Sequence, residues 1–310
     1  MQDTNKNIIR EYGKKIGFCD VGFAAAEPFA EEIERYNDHL AKGYHAAMKY
    51  LEKKLPERED VTKLLPAAKT VIVAAQSYYT PFEHESGSVG KIARYAWGGD
   101  YHEIVKNKLN LLSDKIKELD KSAQTMCFVD SGSVLEKPWA VRAGIGWQGR
   151  NSLIISPKTG SWIFIGIIVT DAFFAPDEKA VDRCGSCHQC VEACPTGALD
   201  EPYALNAGKC ISYWNIESKN PEEMPEDIKN NLNGWLYGCD MCQNACPWNK
   251  QKPASENKEY YPVNNETCIT PQKILSMSDS ELKARFANTP ITRQKPDRMK
   301  KIAGILMKNL

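Results

Sequence analysis

The sequence predicts an α+β protein in which a mixed α/β domain is followed by a cysteine-rich domain. Three observations predict it. Strand-like and helix-like segments alternate through residues 1–175. Eight of the eleven cysteines fall between Cys184 and Cys246. The stretch after that is polar and proline-containing and closes on a helical pattern. The expected division is therefore 1–175, 176–255 and 256–310.

Length and composition bound the possibilities. A chain of 310 residues makes one large domain or two ordinary ones and can bury a core without covalent staples. Hydrophobic residues at 42% and charged residues at 26% are normal for a soluble globular protein. Forty basic residues balance forty acidic ones, which excludes a uniformly basic coat for nucleic acid but not a local patch. No apolar run approaches the roughly 18 to 20 residues of a membrane span, and MQDTNKNIIREYGKK lacks the apolar region of a secretory signal. The expected location is the cytoplasm, where cysteines more often bind metal or react than form disulfides.

The elements follow in order. Ile8, Ile9, Tyr12 and Ile16 recur at helical spacing and stop at Gly17. KTVIVAA (69–75) reads as a buried strand. Residues 103–119 predict an amphipathic helix with a stripe of Ile104, Val105, Leu109, Leu112, Ile116 and Leu119. MCFV (126–129) is a short strand that runs into Asp130. SLIIS (152–156) and WIFIGIIV (162–169) flank a Pro-Lys-Thr-Gly turn and predict a hairpin. A last helix is expected near 296–308.

The cysteines carry the strongest signal. Cys184-x2-Cys187-x2-Cys190-x3-Cys194-Pro195 is the bacterial ferredoxin run for a [4Fe–4S] cluster, whose fourth cysteine serves the other cluster of a pair. Cys239-x2-Cys242-x3-Cys246-Pro247 is one ligand short, with Leu236 where a first cysteine would sit. Cys210 can supply it. The count then closes: Cys184, Cys187, Cys190 and, by crossover, Cys246 for one cube, and Cys239, Cys242, Cys210 and Cys194 for the other. The alternative is two tetrahedral zinc sites. Cys19, Cys127 and Cys268 stand alone and read as ordinary thiols.

Other signals are weaker. Gly144-x-Gly146-x-x-Gly149 matches a dinucleotide fingerprint, but a helix-like stretch precedes it and a strand follows, the reverse of what the fingerprint needs. A tight turn or a close backbone approach to a bulky ligand is the better reading. Asp100-x-His102 resembles the start of the corrinoid D-x-H-x-x-G signature, yet Val105 stands where its glycine belongs. His39, His45, His84 and His188 read as surface residues. Between residues 286 and 310, six positive charges (Arg293, Lys295, Arg298, Lys300, Lys301, Lys308) face only Asp297. That is either a solvated helix face or a phosphate-backbone patch. Asp130 opens a DSGS turn, so it either caps that turn with Ser131 and Gly132 or directs its carboxyl into a cavity.

Taken together, ARYAWGGDYH (93–102), VDSGSVLEKPWAVRAGIGWQGRNSLI (129–154), CGSCHQCVEACPTGA (184–198), KCISYWNIE (209–217), YGCDMCQNACPWN (237–249) and TPITRQK (289–295) resemble the epoxyqueuosine reductases. Longer members of that family continue into helical repeats, whereas this chain stops at Leu310.

The resemblance implies a cobalamin-binding α/β domain like that of reductive dehalogenases, followed by a ferredoxin-like domain with two [4Fe–4S] clusters. It implies reduction of epoxyqueuosine to queuosine at the wobble position of tRNA, by a monomer fed by an external donor of flavodoxin or ferredoxin type. The broken D-x-H-x-x-G signature agrees with the family's cobalamin, which lacks the usual benzimidazole on cobalt. The family's general acid matches Asp130, which would need a raised pKa from burial beside the corrin. The family's cobalamin contacts map onto Arg58, Ala93, Asp130, Asn151, Ile154, Ile165, Ser212 and Asp240. Two other readings use the same parts: a dehalogenase-like enzyme on a small substrate, and an electron carrier.

Overall fold

The computed structural model describes residues 2–308. From the N-terminus run α1 (Gln2–Lys15), β1 (Asp20–Ala25), α2 (Glu31–Ala41), α3 (Leu55–Glu59), β2 (Thr70–Ser77), β3 (Lys91–Ile92) and α4 (Tyr101–Leu119). Next come β4 (Thr125–Phe128), α5 (Glu136–Arg142), β5 (Trp147–Gln148), β6 (Ile154–Ile155) and β7 (Ile163–Thr170). The cysteine-rich part holds α6 (Gln189–Glu192), α7 (Glu226–Asn230), β8 (Trp235–Tyr237) and α8 (Met241–Ala245). Then follow α9 (Pro271–Ser276), α10 (Asp279–Arg285) and α11 (Pro296–Lys308). The expected helices at 4–16, 103–119 and 296–308 are therefore α1, α4 and α11, and residues 309–310 lie outside the described part. Among the described residues, no helix is long and apolar enough to cross a membrane.

One antiparallel sheet, in the order β1-β2-β7-β4, organises the first half. Side chains alternate across it with the period of two that a strand imposes. Ile72 and Ala74 of β2 join Val105, Leu109 and Ile168 on one face, under α1 and α4. Val71, Val73 and Ala75 join Trp139, Ile145 and Ile167 on the other, under α5. A strand covered on both faces shows no polar side, which is why residues 69–75 read as one apolar run.

The hairpin expected from 152–156 and 162–169 does not form. Both edges of β7 are already taken, by β2 and β4. β6 instead turns back to pair with β5, and only a bridge between Ser156 and Gly160 closes the Pro-Lys-Thr-Gly turn. The glycines of 144–149 serve this smaller pairing. A Cβ on Gly146 would lie 2.3 Å from the Ile155 carbonyl oxygen, so the close backbone approach expected there is made to the chain itself.

The segment between β2 and α4 crosses to the cysteine-rich half. β3 pairs in parallel with β8, and the Ala93 N–H donates to the Tyr237 carbonyl at 2.8 Å. Ile92, Ala96 and Trp97 share a core with Ile211, Trp235, Ile274 and Ile302. α11 closes that core with Met299, Ile302, Ala303 and Leu306. This crossing lays the end of the first half directly against the cysteine domain.

Gly146→Ala forces a methyl into the Ile155 carbonyl and is expected to cost about 1–3 kcal/mol of stability. Chemical denaturation measures it, and an unchanged midpoint and slope would contradict this account of the glycine.

Candidate active site

Three element ends meet at one cavity. Asp100 caps the N-terminus of α4, accepting the His102 N–H at 3.0 Å, as a short acceptor side chain does at that position. The next two residues are thereby held at the start of the helix. Tyr101 stacks on Phe164 of β7 with ring centroids 4.2 Å apart and on His102 at 4.0 Å. Two residues beyond the end of β4, Asp130 takes a left-handed backbone conformation, φ +46°, which aspartate tolerates better than most residues. Glu136 and Lys137 begin α5 on the third side.

These ends place a carboxylate among donors. The Tyr101 hydroxyl donates to Asp130 Oδ2 at 2.5 Å. His102 Nε2 lies 3.4 Å from the same oxygen, and His102 Nδ1 lies 2.7 Å from Asp100 Oδ1. The ring is thus held between two carboxylates. The Asp130 N–H donates to Glu136 Oε1 at 2.6 Å. The Asp130 side chain is 61% exposed, facing open space rather than core.

The expected raised pKa at Asp130 is not found. Partial desolvation by the surrounding cavity walls does push the carboxyl up, but hydrogen bonds from His102 and Tyr101, with the nearby His102 and Lys137 charges, outweigh it. The group sits below the ordinary aspartate value, because donors that stabilise the charged form hold the proton off. The raised carboxyl is Glu136, pushed to about 8 by burial and then by the Asp130 charge. Burial and the same charge also hold the Tyr101 proton on far above its usual range. Burial lowers Lys137.

The cavity has a volume of ≈1270 Å³, above the roughly 300–1,000 Å³ of ordinary small-molecule sites. Arg58, Tyr101, His102, Asp130 and Glu136 line it, with Arg293 and Arg298 from the basic C-terminal stretch. Of the residues assigned to cobalamin by resemblance, Arg58 and Asp130 are in this lining. Ala93, Asn151, Ile154 and Asp240 are buried, Ile165 and Ser212 are half-buried, and none of these six is in the lining. Asp240 accepts the Arg94 N–H at 2.7 Å, and burial pushes its carboxyl up to about 6. Asn151 is followed by Ser152, which does line the cavity. The Asn151 Nδ2 and Ser152 Oγ atoms are buried without a protein partner.

The eight clustered cysteines fall into two electrostatic neighbourhoods. Burial raises Cys190, with Cys246 and Cys184 adding, and Cys246 in turn feels Cys184 and Cys187. Burial raises Cys239 and Cys242 more strongly, with Cys210 and Cys194 adding to both. In the first group Cys184 and Cys246 pack with Trp147 and Trp248 beside a largely exposed segment, and Cys246 is the one fully buried thiol of the eight, the others being half-buried. Cys19 is set apart, a thiol raised to about 11 by burial and so unreactive.

Other expectations resolve differently. His45 is not a surface residue: it is 5% exposed, with Nε2 2.8 Å from Glu52 Oε1. The basic stretch is divided, since Lys300 pairs with Asp279 at 2.7 Å and Lys301 with Glu222 at 3.1 Å. Tyr101, His102, Glu136 and Lys137 carry no chemistry by spacing alone. The available signal was Asp100, a cap residue directly before a long amphipathic pattern, which marks residues 101 and 102 as the first turn of a helix.

Comparison with known proteins agrees. The family model described as "Epoxyqueuosine reductase QueG, DUF1730" matches residues 58–131, and one described as "4Fe-4S double cluster binding domain" matches residues 183–249. The epoxyqueuosine reductase of Atelocyanobacterium thalassa is 35% identical over 93% of this chain and 94% of its own. The chain belongs to the epoxyqueuosine reductase family.

The enzyme of Leadbetterella byssophila is 36% identical over 97% of both chains. A solved epoxyqueuosine reductase with a tRNA-TYR epoxyqueuosine-modified tRNA stem loop superposes with a TM-score of 0.92 at 30% identity, covering 100% of this chain and 82% of that one. The Bacillus subtilis enzyme, solved with its catalytic loop swung out of the active site, gives 0.91 at 30% identity and the same coverage. The family's fold is therefore this chain's fold, and its cysteine-rich part is a double [4Fe–4S] domain rather than a pair of zinc sites.

Tyr101→Phe removes a donor to the Asp130 carboxylate. In carboxyl-labelled protein, ¹³C NMR is expected to show Asp130 titrating at higher pH than in the wild type. An equal or lower midpoint would contradict the role given to the Tyr101 hydroxyl.

Proposed function

We infer that the chain reduces epoxyqueuosine to queuosine in tRNA, with Asp130 giving a proton to the departing oxygen. The observation that carries this is the Tyr101–Asp130–His102 group facing a large cavity in a chain of this family. Taking an epoxide oxygen off as water needs two electrons and two protons, and that oxygen leaves poorly unless protonated.

Arg58 and Ser152 at the cavity, with Asn151 directly behind it, fit a corrinoid. The partnerless Asn151 Nδ2 and Ser152 Oγ suit the amide side arms of the ring, and the Arg58 guanidinium suits phosphate or amide oxygens. With them would stand the remaining contacts implied by resemblance: Ala93, Ile154, Ile165, Ser212 and Asp240. Cys184, Cys187, Cys190 and Cys246 would hold one cluster, and Cys194, Cys210, Cys239 and Cys242 the other. When bound, these groups supply the electrons, singly from the clusters and at carbon from the corrinoid.

The protein's own share is the proton and its placement. In the open cavity Asp130 is ionised. A ligand that fills the cavity removes water from around the carboxylate, which favours its protonated form. The Tyr101 hydroxyl keeps its own proton and orients the Asp130 oxygen, while Asp100 fixes the His102 ring alongside. Arg293 and Arg298 at the cavity, with Lys295 and Lys308 nearby in sequence, would meet tRNA phosphates. An electron donor of flavodoxin or ferredoxin type would dock over the exposed segment around Cys184–Cys190, and the chain would work in the cytoplasm as a monomer.

Asp130→Asn is expected to lower turnover about 10²- to 10⁴-fold while iron and cobalt contents stay at wild-type levels. Mass spectrometry of nucleosides from treated tRNA reads the product, and full activity would contradict the assignment. The crossover of cluster ligands has its own test. Cys187→Ala/Cys246→Ala, which removes two ligands of one cluster, should keep about four irons. Cys242→Ala/Cys246→Ala strikes both clusters and should keep none. The opposite pattern would return Cys246 to the cluster of its own run.

A further inference from the structure

We propose that Glu136 is a positioning residue for Asp130, its carboxyl latching the Asp130 backbone N–H so that the 130–134 loop presents the Asp130 carboxylate to Tyr101 and His102. The proposal rests on the reading of Asp130 as the proton donor, and it concerns a residue that no sequence pattern marked.

The loop is anchored at its far end, where Ser133 and Val134 are buried and Val134 joins the core of Trp139 and Ala140, and loose at its near end. β4 ends at Phe128. Among the described residues, no backbone–backbone hydrogen bond involves residues 130–134. Ser131 and Gly132 are exposed. Gly132 sits at φ +92°, and a Cβ there would lie 2.8 Å from the Phe128 ring, so the turn tolerates no other residue without a shift. Asp130 itself is held at φ +46°, a conformation that costs an aspartate free energy unless its surroundings enforce it. The bond from its N–H to Glu136 Oε1 at 2.6 Å is the contact that enforces it from the backbone side.

The other end of the latch is rigid. Glu136 begins α5, whose Trp139 is fully buried against Phe29 with ring centroids 4.5 Å apart. Ala140 beside it belongs to the core under the sheet. A side chain on the first turn of a helix fixed in this way can hold a loop amide in place. Both charged and protonated carboxyls accept the bond, so the latch survives the raised pKa of Glu136. The Asp130 carboxylate is left free to face the cavity.

The test compares Glu136→Ala and Glu136→Met, which remove the acceptor, with Glu136→Gln, which keeps an oxygen in its place. Hydrogen–deuterium exchange of the anaerobic holoprotein reads the loop, and steady-state kinetics on epoxyqueuosine-containing tRNA reads the reaction. The latch predicts that Ala and Met both raise exchange in the peptide over 129–135 and lower kcat about 3- to 10-fold, the net scale of one hydrogen bond, with KM for tRNA unchanged. Gln restores both exchange and kcat. Two results would overturn the proposal: unchanged exchange in Ala and Met, or a Gln variant as slow as Ala, which would make the proton rather than the acceptor the essential feature. Met fills the volume that Ala empties, so a folding defect confined to Ala leaves the test intact. If Asp130→Asn proves active, the proton-donor reading fails while the exchange arm still reports on the latch.

Discussion

The occupancy of β7 on both edges is the constraint from which the site follows. β2 takes one edge and β4 the other, so β7 lies inside the sheet with α4 packed on its Leu109 and Val105 face. Placing β4 there brings Asp130 to the end of the sheet where α4 begins. Stacking of Tyr101 on Phe164 of β7 then sets the hydroxyl that meets the Asp130 carboxylate. A site assembled from the ends of buried elements is held more firmly than one carried on loops alone. Here the short 130–134 turn has such support only at its Val134 end.

The electrostatics of the site oppose its chemistry until something fills it. Donors at Tyr101 and His102 favour the charged form of Asp130, whereas a proton donor must be neutral before it acts. Exclusion of water is the simplest way to reverse that balance, since desolvation alone already pushes upward in the open cavity. On the proposed reading, the readiness of Asp130 to give a proton is tied to the presence of a ligand.

Local patterns were legible in the sequence and long-range meetings were not. The ferredoxin run fixes thiol positions within a few residues of one another, so spacing reveals it, and a double [4Fe–4S] domain is what residues 183–249 match. The amphipathic stripe of 103–119 and the apolar run of 69–75 reported burial directly. The 152–169 hairpin failed because periodicity identifies a strand but not its partner, and β7 pairs with segments far away in the chain. The pKa direction at Asp130 depends on donors from another element, which no reading of the DSGS turn supplies. Glu136 was invisible for the same reason, since its role lies in one bond to a backbone amide.

Turnover of the wild-type protein, purified anaerobically and reconstituted with cobalamin, on tRNA bearing epoxyqueuosine with a chemical reductant decides whether this chain, carrying its clusters and a corrinoid, removes the epoxide oxygen of the modified base. Queuosine is expected to appear in proportion to the cobalt bound, and protein lacking cobalt is expected to make none. A fully loaded protein that binds the tRNA yet leaves epoxyqueuosine untouched would contradict this reading.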